Sequence, residues 1–427
     1  MDFSNISTAA INAFWLFFGG TLVFFMQAGF AMVETGFTRA KNAGNIIMKN
    51  CVDFMLGSII YWFIGVGLMH GTSIGGIIGI PFGQLFMNGS ALNPDMDYTF
   101  LFFQTVFCAT SATIVSGSMA ERTKFSAYCI YSAMISLIIY PIAGHWVWGG
   151  GWLSELGFHD FAGSGIVHML GGTLAFVGAS ILGPRTGKYN KDGTPNAIPG
   201  HNIVIGALGV FILWFGWFGF NPSSSGALVD LEAGADAQPY LVAAKVFITT
   251  NLAACAAATV AMFFTWARYG KPDVSMTLNG VLAGLVAVTA PCDVVSPLSA
   301  VIIGVVAGIL VVMAVEIIDK KLHVDDPVGA VAVHGVNGAW GVLATGIFAN
   351  DVGITGLIAG NVQFFLVQLL GMVCLIAWAA VTGIILFNLL KKFGGLRASV
   401  DEEIEGLDPT EHGLPSAYAD FMTSYKD

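Results

Sequence analysis

Eleven apolar segments of helix length follow one another along this chain. They lie at residues 9–33, 45–69, 98–119, 125–148, 161–183, 201–220, 239–267, 275–291, 298–318, 328–349 and 360–390. A helix needs about 20 apolar residues to cross the hydrocarbon core of a bilayer. In lipid every backbone polar group must find its partner inside the protein, so such a pattern folds as packed helices. Charged residues make up 10% of the 427 positions, against roughly 25% in a soluble domain. The expectation is an all-α polytopic membrane protein of eleven transmembrane helices, not an enzyme. Residues 1–10 lack the charged start of a secretory signal, and no small-residue site ends the first run, so that run is expected to be a true span. The 54 glycines suit close helix contacts, because packing holds such bundles together. Six scattered cysteines without CxxC spacing suggest buried small hydrophobes, not a disulfide framework.

The basic residues alternate from loop to loop. Arg39, Lys41 and Lys49 follow span 1, Arg122 and Lys124 span 3, and Arg185, Lys188 and Lys191 span 5. Arg268 and Lys271 follow span 7, Lys320 and Lys321 span 9, and Lys391, Lys392, Arg397 and Lys426 span 11. The intervening loops carry acids: Asp95, Asp97, Glu155, Asp230, Glu232, Asp236, Asp293 and Asp351. Lys245 lies inside span 7, near its external end, where it can snorkel. The positive-inside rule then places the N-terminus outside and the C-terminus in the cytoplasm. The net charge of −10 comes largely from the tail and external loops and does not suggest a nucleic-acid partner. Residues 1–393 are expected to form the membrane domain. Residues 394–427 form a cytoplasmic tail, whose acidic stretch from Asp401 to Asp408 is too short for a core of its own. It is either disordered or docked.

Two stretches read alike. Asp160 precedes Val167-His168 by the same interval as Asp326 precedes Val333-His334, and a Gly follows each His by four residues, at Gly172 and Gly338. Spans 5 and 10 run in opposite senses, so spans 1–5 and 6–10 read as inverted repeats with span 11 peripheral. Such repeats place substrate sites near the midplane. Eight helical residues are about 12 Å, which puts both imidazoles near the middle of the bilayer. An ionisable residue there is a functional hypothesis by default. The pair can serve as hydrogen-bonding groups for a small polar solute, as a proton relay, or as axial ligands of a haem. The Gly-rich surroundings argue against the last. Asp160 and Asp326 read either as helix caps or as solute contacts.

Aromatics collect at the external ends of spans 3, 4 and 6: Phe103 and Phe107 on one helix face, Trp148, and the run from Trp214 to Phe220 before Ser224. Singly they suit an interfacial belt. Together, beside acidic loops, they suit a cation site.

These residues resemble the ammonium transporter family, which includes the Rh proteins, and favour its microbial and plant branch. The likeness covers nearly the whole chain. It runs through Gly29-Phe-Ala-Met-Val-Glu34-Thr-Gly, Phe103-Gln-Thr-Val-Phe107, Met119-Ala-Glu121-Arg122, Pro141 to Trp148, Asp160-Phe-Ala-Gly, Trp217-Phe-Gly-Phe220-Asn-Pro, Val333-His334-Gly-Val-Asn-Gly and Glu403-Ile-Glu-Gly-Leu-Asp. The resemblance implies a homotrimer in the plasma or inner membrane, with one pore per subunit and no cofactor. It implies ammonium and methylammonium as solutes. The outer site would be Phe103, Phe107, Trp148 and Ser224, with Asp160 in support and Ser223 able to share the role of Ser224. Phe107 and Phe220 would form the gate, with His168 and His334 lining the pore. Asp326, Glu403 and Gly406 would be regulatory or structural, and a PII-type regulator would meet the cytoplasmic face. Some members carry an acid where this chain has Gly329. An ammonium sensor of the same fold is the alternative; the sequence shows no attached kinase or cyclase segment.

Overall fold

The computed structural model describes residues 7–80, 98–230 and 239–418. Among the described residues ten helices are long and apolar enough to cross a membrane, and the shorter Val274–Val288 makes the eleventh. They are α1 Thr8–Phe37, α2 Ala40–His70, α3 Tyr98–Ser118, α4 Phe125–Glu155, α5 Ser164–Leu182, α6 Ile203–Ser225, α7 Pro239–Tyr269, α8 Val274–Val288, α9 Pro297–Lys320, α10 Val331–Phe348 and α11 Val362–Gly394. The predicted spans match them with shifts of a few residues at most ends. The tail adds α12 Val400–Glu405 and α13 Leu407–His412.

The packing has the symmetry of the repeat. α1 lies along α6, and α5 meets α10. In one half α2 packs on α3 and α4; in the other α7, α8 and α9 pack on one another. α11 lies outside, against α5 and α10. Glycine makes the close contacts possible. A Cβ on Gly36 would stand 2.3 Å from the backbone nitrogen of Gly206, on the α1–α6 seam. A Cβ on Gly172 would stand 2.1 Å from the nitrogen of Gly335, where α5 crosses α10. Large apolar side chains such as Phe14, Phe211 and Phe215 face outward, as a lipid-facing surface requires. The cysteines only partly follow the expectation: all are free, Cys108 and Cys292 are buried, and Cys51 and Cys255 are exposed. Helix surfaces in lipid tolerate a small apolar side chain as well as the core does.

Polar contacts sort cleanly by end. At one end His159 bonds Asp293, and Lys245 bonds Asp351 and the carbonyl of Asp293. Lys245 is therefore held by partners, not merely snorkelling. Asp95, Asp97, Glu232 and Asp236 lie outside the described residues. At the other end Arg185 joins Glu121 to Asp325, with Nη1 2.9 Å from Glu121 and Nε 2.8 Å from Asp325. Burial opposes the ionisation of Asp325, but Arg185 and Arg122 outweigh it and hold its pKa down to about 2.

The tail docks on that second end. Gly44 and Asn45, in the first turn of α2, donate their backbone N–H groups to Asp408 at 2.9 and 2.7 Å. Lys41 donates to the carbonyls of Glu403 and Ile404, both at 2.6 Å. The Glu403 carboxylate accepts from the backbone of Thr186 at 2.6 Å and from Arg397. Burial opposes its charge, but these donors prevail and keep its pKa below the ordinary value. Docking thus rests on caps and backbone groups more than on pairing of an acidic tail with basic loops. Leu407 is buried, whereas Ile404 is 62% exposed. Gly406 has φ +122°, and a Cβ there would meet the Lys41 carbonyl at 2.6 Å. Gly406→Ala is accordingly expected to undock the tail. Limited proteolysis should cut it faster at residues 398–412, and wild-type protection would contradict this.

Candidate functional site

At the end predicted to be external, Phe103, Gln104, Phe107, Trp148, Ser223 and Ser224 line a cavity of about 360 Å³. The Phe103 and Phe107 rings are 4.7 Å apart, and Phe107 meets Trp148 edge-on at 6.1 Å. Trp148 is fixed by its indole N–H, which donates to the Asp160 carbonyl at 2.8 Å. Ser224 donates its hydroxyl to the Phe220 carbonyl at 2.8 Å, which leaves oxygen lone pairs to accept from a solute. The Ser223 hydroxyl and the Gln104 amide oxygen are buried without a partner. Among the described residues no carboxylate lines this cavity; Asp293 and Asp351 are committed to His159 and Lys245. The cation chemistry here is that of ring faces and neutral oxygens.

Below the cavity Phe107 and Phe220 stack at 4.0 Å. Beneath them His168 stacks on Phe220 at 5.5 Å and on Trp217 at 5.0 Å. Trp217 is itself held by Thr289 at 2.9 Å. The Nδ1 atoms of His168 and His334 lie 3.2 Å apart. One must donate and the other accept; the Nε2 of His168 is buried without a partner. No porphyrin fits between nitrogens at this separation, which removes the arrangement needed for paired axial ligands.

Each histidine sits in a π-helical turn, Ser164–Met169 or Val331–Val336. Such turns widen a helix locally and cluster at functional sites. The repeated Asp sets each turn. Asp160 accepts from the backbone N–H groups of Gly163, Gly165 and Ile166, all at 2.9 Å. Asp326 accepts from Gly329 at 3.2 Å and Val331 at 2.7 Å. Both are caps, and neither carboxylate touches the aromatic cavity. The repeated Gly has a reason too, since a Cβ on Gly338 would strike the Ser164 carbonyl at 2.5 Å.

Past His334 a cavity of about 30 Å³ is lined by Phe30, Glu34, Thr113, Asn279 and His334. Asn279 and Val328 also line a wider vestibule of about 350 Å³ at the tail end. Gly329 has φ +78° and lies under Asn279. The sequence patterns place Trp217 only within an aromatic run suited to a cation site, and single out neither Asn279 nor Glu34 for a role. Glu34 falls one residue past the predicted end of span 1 but inside the helix Thr8–Phe37; Asn279 carries no ionisable signal.

The sequence profile of the Ammonium Transporter Family matches residues 14–417. Ammonium transporter Amt2 of Archaeoglobus fulgidus is 48% identical over 431 residues, spanning 96% of this chain and 89% of its own. Ammonium transporter 1 member 3 of Solanum lycopersicum is 39% identical, spanning 95% and 93%. Among solved structures, one named Sensor Amt Protein superposes with a TM-score of 0.89 at 41% identity, covering 95% of this chain and 99% of its own.

Proposed function

The chain belongs to the ammonium transporter family, and from that premise we propose how it moves its solute. Ammonium is recruited by the faces of Phe103, Phe107 and Trp148, each worth about 0.5–2 kcal/mol to a cation, and by the Ser224 oxygen. It gives its proton to water in the outer cavity before the Phe107–Phe220 gate. Ammonia then passes His168 and His334 by hydrogen bonds to neutral imidazoles. A bare cation in such a pore is far costlier than a neutral molecule. Potassium has no proton to shed, so it is excluded. The observation that carries this reading is the sequence of stations: a ring-lined cavity, a pair of stacked rings, then two imidazoles joined at 3.2 Å.

The basic end, with the docked tail, is the cytoplasmic one by the positive-inside rule. We take the working unit to be a homotrimer in the cell membrane. The docked tail sets its activity, and a PII-type regulator is the partner suited to the cytoplasmic exits. Deleting residues 398–427 should change transport at matched expression; unchanged transport and unchanged PII binding would reject tail control. The likeness to a structure named as a sensor supports a second reading, binding with little transport.

Uptake by reconstituted liposomes decides between the two. For the recruitment site, Trp148→Leu is expected to raise half-saturating ammonium about 3- to 10-fold, as loss of a cation–π contact implies, and to weaken discrimination against methylammonium. Kinetics identical to wild type would remove Trp148 from the site.

A further inference from the structure

Three ionisable side chains lie buried within the spans beside the lower pore, and the transport path described above uses none of them. Glu34 of α1 is 3% exposed, Lys49 of α2 is 1% exposed and Asp53 of α2 is fully buried. Glu34 accepts from the Ser116 hydroxyl at 2.9 Å and stands 3.9 Å from the Lys49 ammonium. Asp53 is held by the hydroxyls of Thr113 and Ser132. Two carboxylates against one ammonium leave the group with a negative charge or a mobile proton. Buried charges are costly unless paired, so an unbalanced set at membrane depth calls for a use.

The cavity beyond His334 supplies one. Glu34 lines it together with Thr113, Asn279 and His334. Its volume of about 30 Å³ suits one molecule the size of water. Asn279 is 5% exposed, and its Oδ1 has no hydrogen-bond partner. A buried acceptor left open beside a carboxylate calls for a donor-rich solute. Ammonium has four N–H donors and a charge opposite to that of the carboxylate. Asn279 and Val328 also border the wide vestibule, so the cavity lies between the histidine pair and the cytoplasmic exit.

We propose that Glu34 and Asn279 form an inner ammonium site, where ammonia leaving the histidine pair is re-protonated. The Glu34 carboxylic O–H bond breaks, an N–H bond forms, and an ammonium–carboxylate pair results, with Asn279 Oδ1 accepting a second N–H. Once ammonium has left, water in the vestibule returns a proton to the carboxylate. In reverse, the same site recruits ammonium from the cytoplasm. The proposal rests on the reading that ammonia, not ammonium, passes His168 and His334.

The test uses the full-length protein in oriented liposomes, with ammonium jumps applied to either face. Glu34→Gln is expected to raise half-saturation at the cytoplasmic face by about tenfold or more, as loss of a charged acceptor implies. The outer-face value should shift by less than about twofold, since the two sites are far apart. Glu34→Gln also strips Lys49 of its partner, so the Glu34→Gln/Lys49→Met double variant separates the two roles. If Glu34 is only a counter-ion, the double variant regains wild-type half-saturation at the cytoplasmic face, and the inner site is overturned. If Glu34 binds solute, the defect stays. Should both variants fail to assemble, Asn279→Ala leaves the charges intact and must show the same one-sided shift. An unchanged cytoplasmic value in that variant would overturn the site. Failure of the wild type to transport at all would instead overturn the reading on which the site rests.

Discussion

Replacing His168 or His334 with alanine is expected to cut selective ammonium uptake by about 10- to 100-fold, the cost of leaving a buried polar contact unmade. The two rings meet each other between the stacked gate and the inner cavity. Removing one breaks the hydrogen-bonded path and orphans the Nδ1 of the other. The fold should survive, because the crossing that brings α5 to α10 is made by Gly172 and Gly335, not by the imidazoles. A variant that fills with water and conducts potassium also fits, since selectivity is then lost with the pair. Uptake kinetics and potassium currents in liposomes check this. Unchanged selective uptake by the double variant would contradict the mechanism.

The second large effect is on folding. Asp160→Ala leaves three backbone N–H groups without an acceptor in a buried turn. Each such orphan costs about 1–3 kcal/mol, so a loss of about 3 kcal/mol or more is expected against a total stability of about 5–15 kcal/mol. The yield of folded protein and its melting temperature in detergent should fall sharply. Asp160→Asn keeps one oxygen for Gly165 and Ile166 and loses the bond from Gly163. It should fold, with a looser turn at the Trp148 anchor. Wild-type stability of Asp160→Ala would show that the carboxylate is not the cap of this turn.

The spans and their pairing were legible because lipid imposes one rule on every helix, and because an inverted repeat writes the same constraint twice. The Asp, the Val-His and the later Gly of each repeat each have a structural cause: a cap, a π-helical turn and a close crossing. The aromatic cavity was legible from its residue types. Its lack of a lining carboxylate among the described residues was not, since Asp293 and Asp351 find partners distant in sequence, His159 and Lys245. The tail's docking was legible in outline only. Charge predicted the face, but backbone caps at Gly44 and Asn45 and the φ of Gly406 do the holding. Trp217 and Asn279 take their places from tertiary packing that no local pattern announces.

The central claim is that a cation arrives and a neutral molecule crosses. Competition in liposomes tests it most directly: uptake of ammonium by the wild type with a large excess of potassium outside, beside the potassium current under the same gradient. The account predicts saturable ammonium uptake little altered by potassium, and no potassium current until the histidine pair is removed. Potassium carried by the wild type at a rate comparable to ammonium would contradict it.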